Sequence, residues 1–154
     1  MTEEPSSGVA LAARPGGPAR AGSPGETDLR VLLCEMRPEL APDAYIFASV
    51  REEDVQRLAV RPLGTFRERE GVSLILEAGE SARAGLPAGP LWACITLTVH
   101  SALTSVGFLA AVAGRLAERG LPVNPVAGIF HDHLFVPWER REEALAALAD
   151  QEAP

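Results

Sequence analysis

The sequence predicts an α+β protein with a ferredoxin-like arrangement, because strand and helix patterns after Trp92 follow the order strand, helix, strand, strand, helix. Residues 93–100 (ACITLTVH) alternate apolar and polar side chains, which is typical of a strand with one buried face. Residues 105–120 then carry apolar side chains at helical spacing. One strand is missing from a complete βαββαβ unit, and we expect the N-terminal half to supply it.

The N-terminal half begins with a segment of different composition. Residues 1–27 are rich in Pro, Gly, Ser and Ala without a sustained period, which predicts a disordered tail. An N-terminal subdomain is expected over 28–80 and a linker over 81–90. The elements predicted in that subdomain are a strand (29–36), a proline-containing turn (37–44), a strand (45–50), a short helix (51–60) and a hairpin or bulge around Gly71.

The C-terminal domain is predicted over 91–151, and its first helix has recognisable ends. Ser101 or Thr104 is a candidate N-cap, and Gly120 suits the C-terminus. The next strand contains prolines, so we expect it at a sheet edge. The elements after the first helix are this edge strand (121–130), a third strand (133–138) and a second helix (139–151).

Composition excludes several classes of function. The 154 residues carry a formal net charge of −7, which disfavours nucleic-acid binding. All 14 basic residues are arginine, which excludes a Schiff-base lysine and fits a GC-rich bacterial genome. No stretch is long enough to span a membrane and no signal peptide is recognisable, so we expect a cytoplasmic protein. Cys34 and Cys94 are expected to be buried thiols.

One stretch carries a family resemblance. Residues 104–128 (TSVGFLAAVAGRLAERGLPVNPVAG) resemble an ACT domain, with Gly107 at the first helix, then Gly120 and the step Val123-Asn124. The wider set FREREGVSLIL, ITLTVHSALTSVGFLA and HDHLFVP resembles a group of small bacterial ACT-fold proteins and, more distantly, the ACT modules of arginine sensors and aspartate kinases. The resemblance implies a βαββαβ ACT fold in which two ACT-like subdomains pack together.

The resemblance also implies a function. ACT modules usually bind amino acids or similar small effectors, so we expect a regulatory binding protein rather than an enzyme, with no cofactor. The family's effector position, near the loop between the first strand and first helix, carries over to His100, Ser101, Gly107, Asn124 and Gly128. Independently, the free N–H groups at a helix start favour a carboxylate, and a glycine there permits close approach.

The histidines suggest a second part of the site. The third strand of such a sheet lies antiparallel to the first, so the start of the third strand lies near the end of the first. This arrangement brings His131, Asp132 and His133 near His100, with Asp132 on the helix side. If the turn includes His131, only His100 and His133 stay in register. The histidines then line a small-molecule pocket or only fix the contact between subdomains.

Three further interpretations remain open. Glu70, next to Gly71, is a candidate partner for the ammonium group of an effector. Three histidines also fit a metal site, which makes a metal-dependent enzyme using His100, His131 and His133 the main alternative. The other alternative is a pure protein-interaction module. For the binding protein, edge strands and an open sheet face favour a homodimer.

Overall fold

The computed structural model describes residues 24–150, so residues 1–23 of the predicted tail lie outside the described range. The strands are β1 (Pro38–Val50), β2 (Gly64–Glu68), β3 (Gly71–Glu77), β4 (Trp92–Leu97), β5 (Asn124–Ala127) and β6 (Asp132–Pro137). The helices are α1 (Leu29–Glu35), α2 (Glu52–Val55), α3 (Ala78–Arg83), α4 (Phe108–Glu118) and α5 (Arg141–Ala149), with a 3-10 turn at Trp138–Arg140. None of these helices is long and apolar enough to cross a membrane.

The strands form one antiparallel sheet in the order β2-β3-β1-β4-β6-β5. Two βαββα halves, β1-α2-β2-β3-α3 and β4-α4-β5-β6-α5, meet where β1 pairs with β4. Each half has three strands of its own and obtains a fourth from the other half. Strand β4 completes the N-terminal half, and β1 completes the C-terminal half. The predicted ferredoxin-like fold and the completion of the sheet by an N-terminal strand are both confirmed, and β5 lies at the predicted edge.

The two faces of the sheet differ. The helices pack on one face, where the side chains of Ile95 and Leu134 are fully buried against Val112 and Leu116. The opposite face carries a cluster built, among the described residues, from strand side chains alone. Its centre is aromatic, with edge-to-face ring contacts from Tyr45 and Phe47 to Phe135 and from Phe47 to Trp92.

Residues 29–36, predicted as a strand, instead form helix α1 and its C-terminal cap. The carboxylate of Asp28 caps the helix by accepting hydrogen bonds from the N–H groups of Arg30 and Val31 at 2.8 and 3.2 Å. Leu29, Leu32, Leu33 and Met36 follow helical spacing and face the core. Cys34 therefore falls on the exposed side of a helix, and the prediction that it is buried is wrong.

The proline-containing turn predicted over 37–44 is also wrong, because β1 runs through both prolines. Pro38 is the first residue of the strand, where a missing N–H group is tolerated. Pro42 lies where the register between β1 and β4 shifts, between Leu40 and Ala44. An irregular rung of this kind leaves residues outside the ladder, so Pro42 interrupts no regular hydrogen bond.

Two segments predicted to lack structure have defined positions. Helix α3 (Ala78–Arg83) extends over the first three residues of the linker predicted over 81–90. Residues 24–27, the end of the predicted tail, lie beside the loop that follows β4, where Glu26 forms a parallel bridge with Ser101. The N-terminal segment therefore contacts the C-terminal half of the molecule.

Candidate functional site

The loop between β4 and α4, residues 98–107, ends at a glycine that fixes how the helix begins. Gly107 is the N-cap residue and has φ 90°, a left-handed conformation that glycine adopts without the steric cost of a side chain. It takes the place of the predicted caps Ser101 and Thr104. The N–H groups of the first turn have no partner within the helix, and no side chain of the described residues caps them.

A cleft of about 140 Å³ opens between this loop and the sheet. Its walls are loop 101–107, the first turn of α4, Ala127 at the end of β5 and Asp132 at the start of β6. Leu103, Phe108 and Leu109 give it apolar surface. The cleft therefore combines free helix N–H groups, a carboxylate and an apolar wall.

Asp132 reaches the cleft because of strand register. It pairs with Leu97 of β4, whose side chain is buried on the helix side, and Asp132 is itself only 3% exposed. The hydroxyl of Ser101 donates a hydrogen bond to Asp132 Oδ2 at 2.6 Å. A buried carboxylate is costly unless polar partners surround it. Ser101 supplies one such partner, which ties the loop to β6.

His133 lies on the opposite face of the sheet from Asp132. Its Nδ1 is 3.0 Å from the hydroxyl of Thr96, its cross-strand neighbour. Burial lowers the pKa of His133 below its usual value, and His131 lowers this pKa further, whereas Asp132 opposes the shift. His133 pairs with Val126 of β5 and lies two residues from Phe135 on this face, and its lowered pKa favours the neutral imidazole there.

The turn between β5 and β6 includes His131. This is the predicted arrangement in which His131 is out of strand register. The N–H group of Gly128 donates to the carbonyl of His131 at 2.9 Å and closes this turn. Nδ1 of His131 is buried and has no hydrogen-bond partner among residues 24–150. The His100 ring lies 5.4 Å from that of Phe130 at the tip of the turn. None of the three histidines lines the cleft.

The remaining candidates lie outside the cleft. Asn124 is exposed at the far end of β5 from Ala127. Gly128 is required by the turn, since a Cβ there would lie 2.6 Å from the carbonyl oxygen of His131. Glu70 is exposed in the β2–β3 hairpin of the other half, where its carboxylate pairs with Arg69 at 3.2 Å. Of the predicted residues, Ser101, Gly107 and Asp132 come together around the cleft.

A metal site at the three histidines would require grouped ligands, and the reactivity of the Cys94 thiol depends on its ionisation. Within residues 24–150, no three His, Cys, Asp or Glu side chains are grouped so as to hold a metal ion. Burial raises the pKa of Cys94 to about 11, so its sulfur is a protonated thiol at neutral pH and a poor nucleophile.

Two features were not predicted from the sequence: the apolar wall of the cleft, and the contact of residues 24–27 with the loop after β4. Leu103 and Ser105 line the cleft but carry no motif. Ala127 does so only because the β5–β6 register places it opposite Asp132.

Comparison with known proteins agrees with this architecture. Two family models, each described as an ACT domain, match residues 24–90 and 92–150. A protein of unknown function from Vibrio cholerae, described as a possible transport protein, is 44% identical and has a TM-score of 0.72, covering 81% of this chain and 96% of that one. A search of curated proteins returned no significant match.

More distant structures share the fold alone. A protein from Agrobacterium tumefaciens is 17% identical with a TM-score of 0.63, covering 76% of this chain and 89% of that one. The ligand-free regulatory subunit of aspartate kinase from Thermus thermophilus is 14% identical with a TM-score of 0.55, covering 75% and 97%. With an ACT model on each half and a 44% identical structure spanning both, the chain belongs to the ACT domain family, whose modules are generally regulatory and bind small molecules.

Proposed function

We propose that this protein binds an amino acid in the cleft at the start of α4 and acts as a regulatory rather than a catalytic protein. The observation that carries the proposal is the pairing of two opposite chemistries in one cleft. The uncapped first turn of α4 favours a carboxylate, and the buried Asp132 carboxylate favours an ammonium group. An α-amino acid presents both groups on one carbon atom.

We expect one effector per chain, because the equivalent position in the N-terminal half has a different chemistry. The position equivalent to the start of α4 is the start of α2, a helix of four residues. Its first turn is acidic, and Arg51 pairs with Glu53 at 2.7 Å and with Asp54 at 2.8 Å. Carboxylates of the chain itself therefore occupy the region where an effector carboxylate would be needed.

Isothermal titration calorimetry with each of the twenty L-amino acids tests this proposal, with thermal shift as a first screen. At least one amino acid is expected to release heat and raise the melting temperature. Absence of binding by all twenty contradicts the proposal.

Asp132→Asn tests the role of the carboxylate, because asparagine retains an oxygen that can accept the Ser101 hydrogen bond. Loss of a charge-assisted hydrogen bond predicts affinity roughly 10 to 100 times lower. Asp43→Asn, which alters an exposed aspartate of β1, is the matched control and should leave affinity unchanged. Equal affinity of the Asp132→Asn variant would mean that the carboxylate does not contact the effector.

We also propose that the protein is a homodimer that uses its open aromatic face. Phe47 and Phe66 are 40% and 52% exposed on this face, and Phe47 continues the ring cluster around Phe135. Exposed apolar surface of this kind is typical of protein interfaces.

Phe47→Glu should convert a dimer into a monomer in analytical ultracentrifugation. Phe130→Glu, at a residue 46% exposed in the β5–β6 turn, is the control, and dissociation by this variant instead would assign the interface to the other end.

A further inference from the structure

We infer that residues 24–28, called the strap below, are a built part of the cleft, and that strap attachment and effector binding stabilise each other. The part of this inference that concerns the effector rests on the proposed function. The part that concerns the strap rests on contacts within the chain.

The strap pairs with the cleft loop through the backbone. The N–H group of Glu26 donates to the carbonyl of His100 at 2.9 Å, and the N–H group of Ala102 donates to the carbonyl of Glu26 at 2.9 Å. These two bonds flank Ser101 on both sides. Because Ser101 and Ala102 line the cleft, the strap holds one wall of the cleft from behind.

Gly25 allows this close approach. A Cβ at residue 25 would lie 2.5 Å from the backbone nitrogen of Ala102 and 2.6 Å from the carbonyl carbon of Ser101. Both atoms belong to the backbone and cannot rotate away as a side chain can. Any other residue at position 25 must therefore displace either the strap or the loop.

The strap is anchored at its other end by α1. The Glu26 carboxylate accepts hydrogen bonds from the N–H groups of Thr27 and Asp28 at 2.7 and 2.8 Å, which fixes the bend before the helix. Leu29, the first residue of α1, lies against the far end of the same loop, 3.5 Å from where a Cβ of Gly107 would be. The N-terminal segment thus contacts both ends of loop 101–107.

This geometry couples two events at one residue. The backbone of Ser101 pairs with the strap, and the hydroxyl group of Ser101 donates a hydrogen bond to Asp132. When the strap detaches, loop 101–107 loses the contacts that hold Ser101 against Asp132, so fewer molecules have a cleft ready to bind. Apparent affinity falls by the fraction that is competent. By reciprocity, an occupied cleft holds the strap more firmly.

Amide hydrogen exchange followed by NMR tests the strap without any ligand. In the unaltered protein the Ala102 and Glu26 amides should be protected from exchange. Gly25→Ala should increase their exchange rates at least tenfold. Gly89→Ala should not, because Gly89 is exposed and no atom of the described residues lies within 4 Å of the added Cβ. Glu26→Pro adds no Cβ at position 25 but removes both the Glu26 N–H donor and the carboxylate that holds the bend before α1, so it should also release the Ala102 amide. Unprotected Ala102 and Glu26 amides in the unaltered protein would overturn the inference.

The same variants test the coupling, with an equimolar mixture of the twenty L-amino acids as the probe. The mixture should slow exchange at Ala102 and Glu26 in the unaltered protein. Gly25→Ala should bind the mixture at least fivefold more weakly than Gly89→Ala at a comparable melting temperature. Equal binding by the two variants overturns the coupling and leaves the proposed function intact. If the unaltered protein binds nothing, the proposed function and the coupling fail together, while the exchange rates still decide whether the strap is docked.

Discussion

At the scale of single residues, His133 links stability to pH. Its pKa in the folded protein lies below the value of about 6.5 expected for an unfolded chain, mainly because it is partly buried. The folded state therefore binds fewer protons than the unfolded state, and the free energy of unfolding rises with pH in this window. The part of the free energy of unfolding that depends on a neutral His133 is fully present above about pH 6.5 and is lost as pH falls through the lower folded pKa.

We expect the melting temperature to fall as pH is lowered from about 7.5 to 5, and to fall less in His133→Gln. Differential scanning calorimetry across this range measures both slopes. His100→Gln is the control, because it removes an imidazole at the end of the loop and leaves His133 and Thr96 in place. Parallel slopes in the unaltered protein and His133→Gln would show that His133 does not contribute.

Residue-level reasoning located part of the candidate cleft. Ser101 and Gly107 came from the family pattern, and Asp132 was correctly assigned to the helix side from strand alternation. The histidine pocket was a weaker inference, because it required three side chains to remain in strand register through a turn. The hydrogen bond from the N–H group of Gly128 to the carbonyl of His131 closes that turn. No local sequence pattern specifies how the imidazole rings are oriented in such a turn.

At the scale of elements, α1 and β1 show where local patterns were ambiguous. The segment LRVLLCEM is both a short apolar run and a helical series of Leu29, Leu32, Leu33 and Met36. Run length favoured a strand, but the Asp28 cap and the buried helical stripe favour a helix. In β1, pairing with strands on both sides outweighs the two prolines. Tertiary contacts decided both cases, and a local pattern does not contain them.

The capping of α1 can be measured. Asp28→Ala removes the acceptor for the N–H groups of Arg30 and Val31, and loss of an N-cap typically costs about 1 kcal/mol. For a chain of this length we expect the melting temperature to fall by roughly 2 to 4 °C. Asp43→Ala, which removes an exposed carboxylate from β1, should cause a smaller change. Equal shifts in the two variants would mean that the cap adds nothing.

At the scale of the whole molecule, the paired strands β1 and β4 join the halves into one sheet. Neither half has four strands of its own, so unfolding one half removes a neighbouring strand from the other. This arrangement favours a single cooperative transition rather than separate melting of two domains. The sequence predicted that an N-terminal strand completes the C-terminal unit, but it did not indicate that β4 completes the N-terminal half in return.

A core substitution in one half should therefore lower the stability of the other. Leu74, fully buried in β3, belongs to the N-terminal half, and Leu74→Ala should cost roughly 2 to 5 kcal/mol. In a Trp92→Phe background, Trp138 fluorescence reports on the C-terminal half and should melt together with the far-UV circular dichroism signal. Leu63→Ala, at a leucine 54% exposed, is the control. An unchanged Trp138 transition in Leu74→Ala would mean that the halves unfold independently.

The reciprocal use of β1 and β4 also bears on how the protein behaves at low concentration. A half-length chain with the same element order would need to find a second copy to complete its sheet, and that association would weaken on dilution. Here the second half is tethered to the first, so completing the sheet is an intramolecular event. The sheet behind the cleft is therefore complete in every folded chain, however few copies a cell contains.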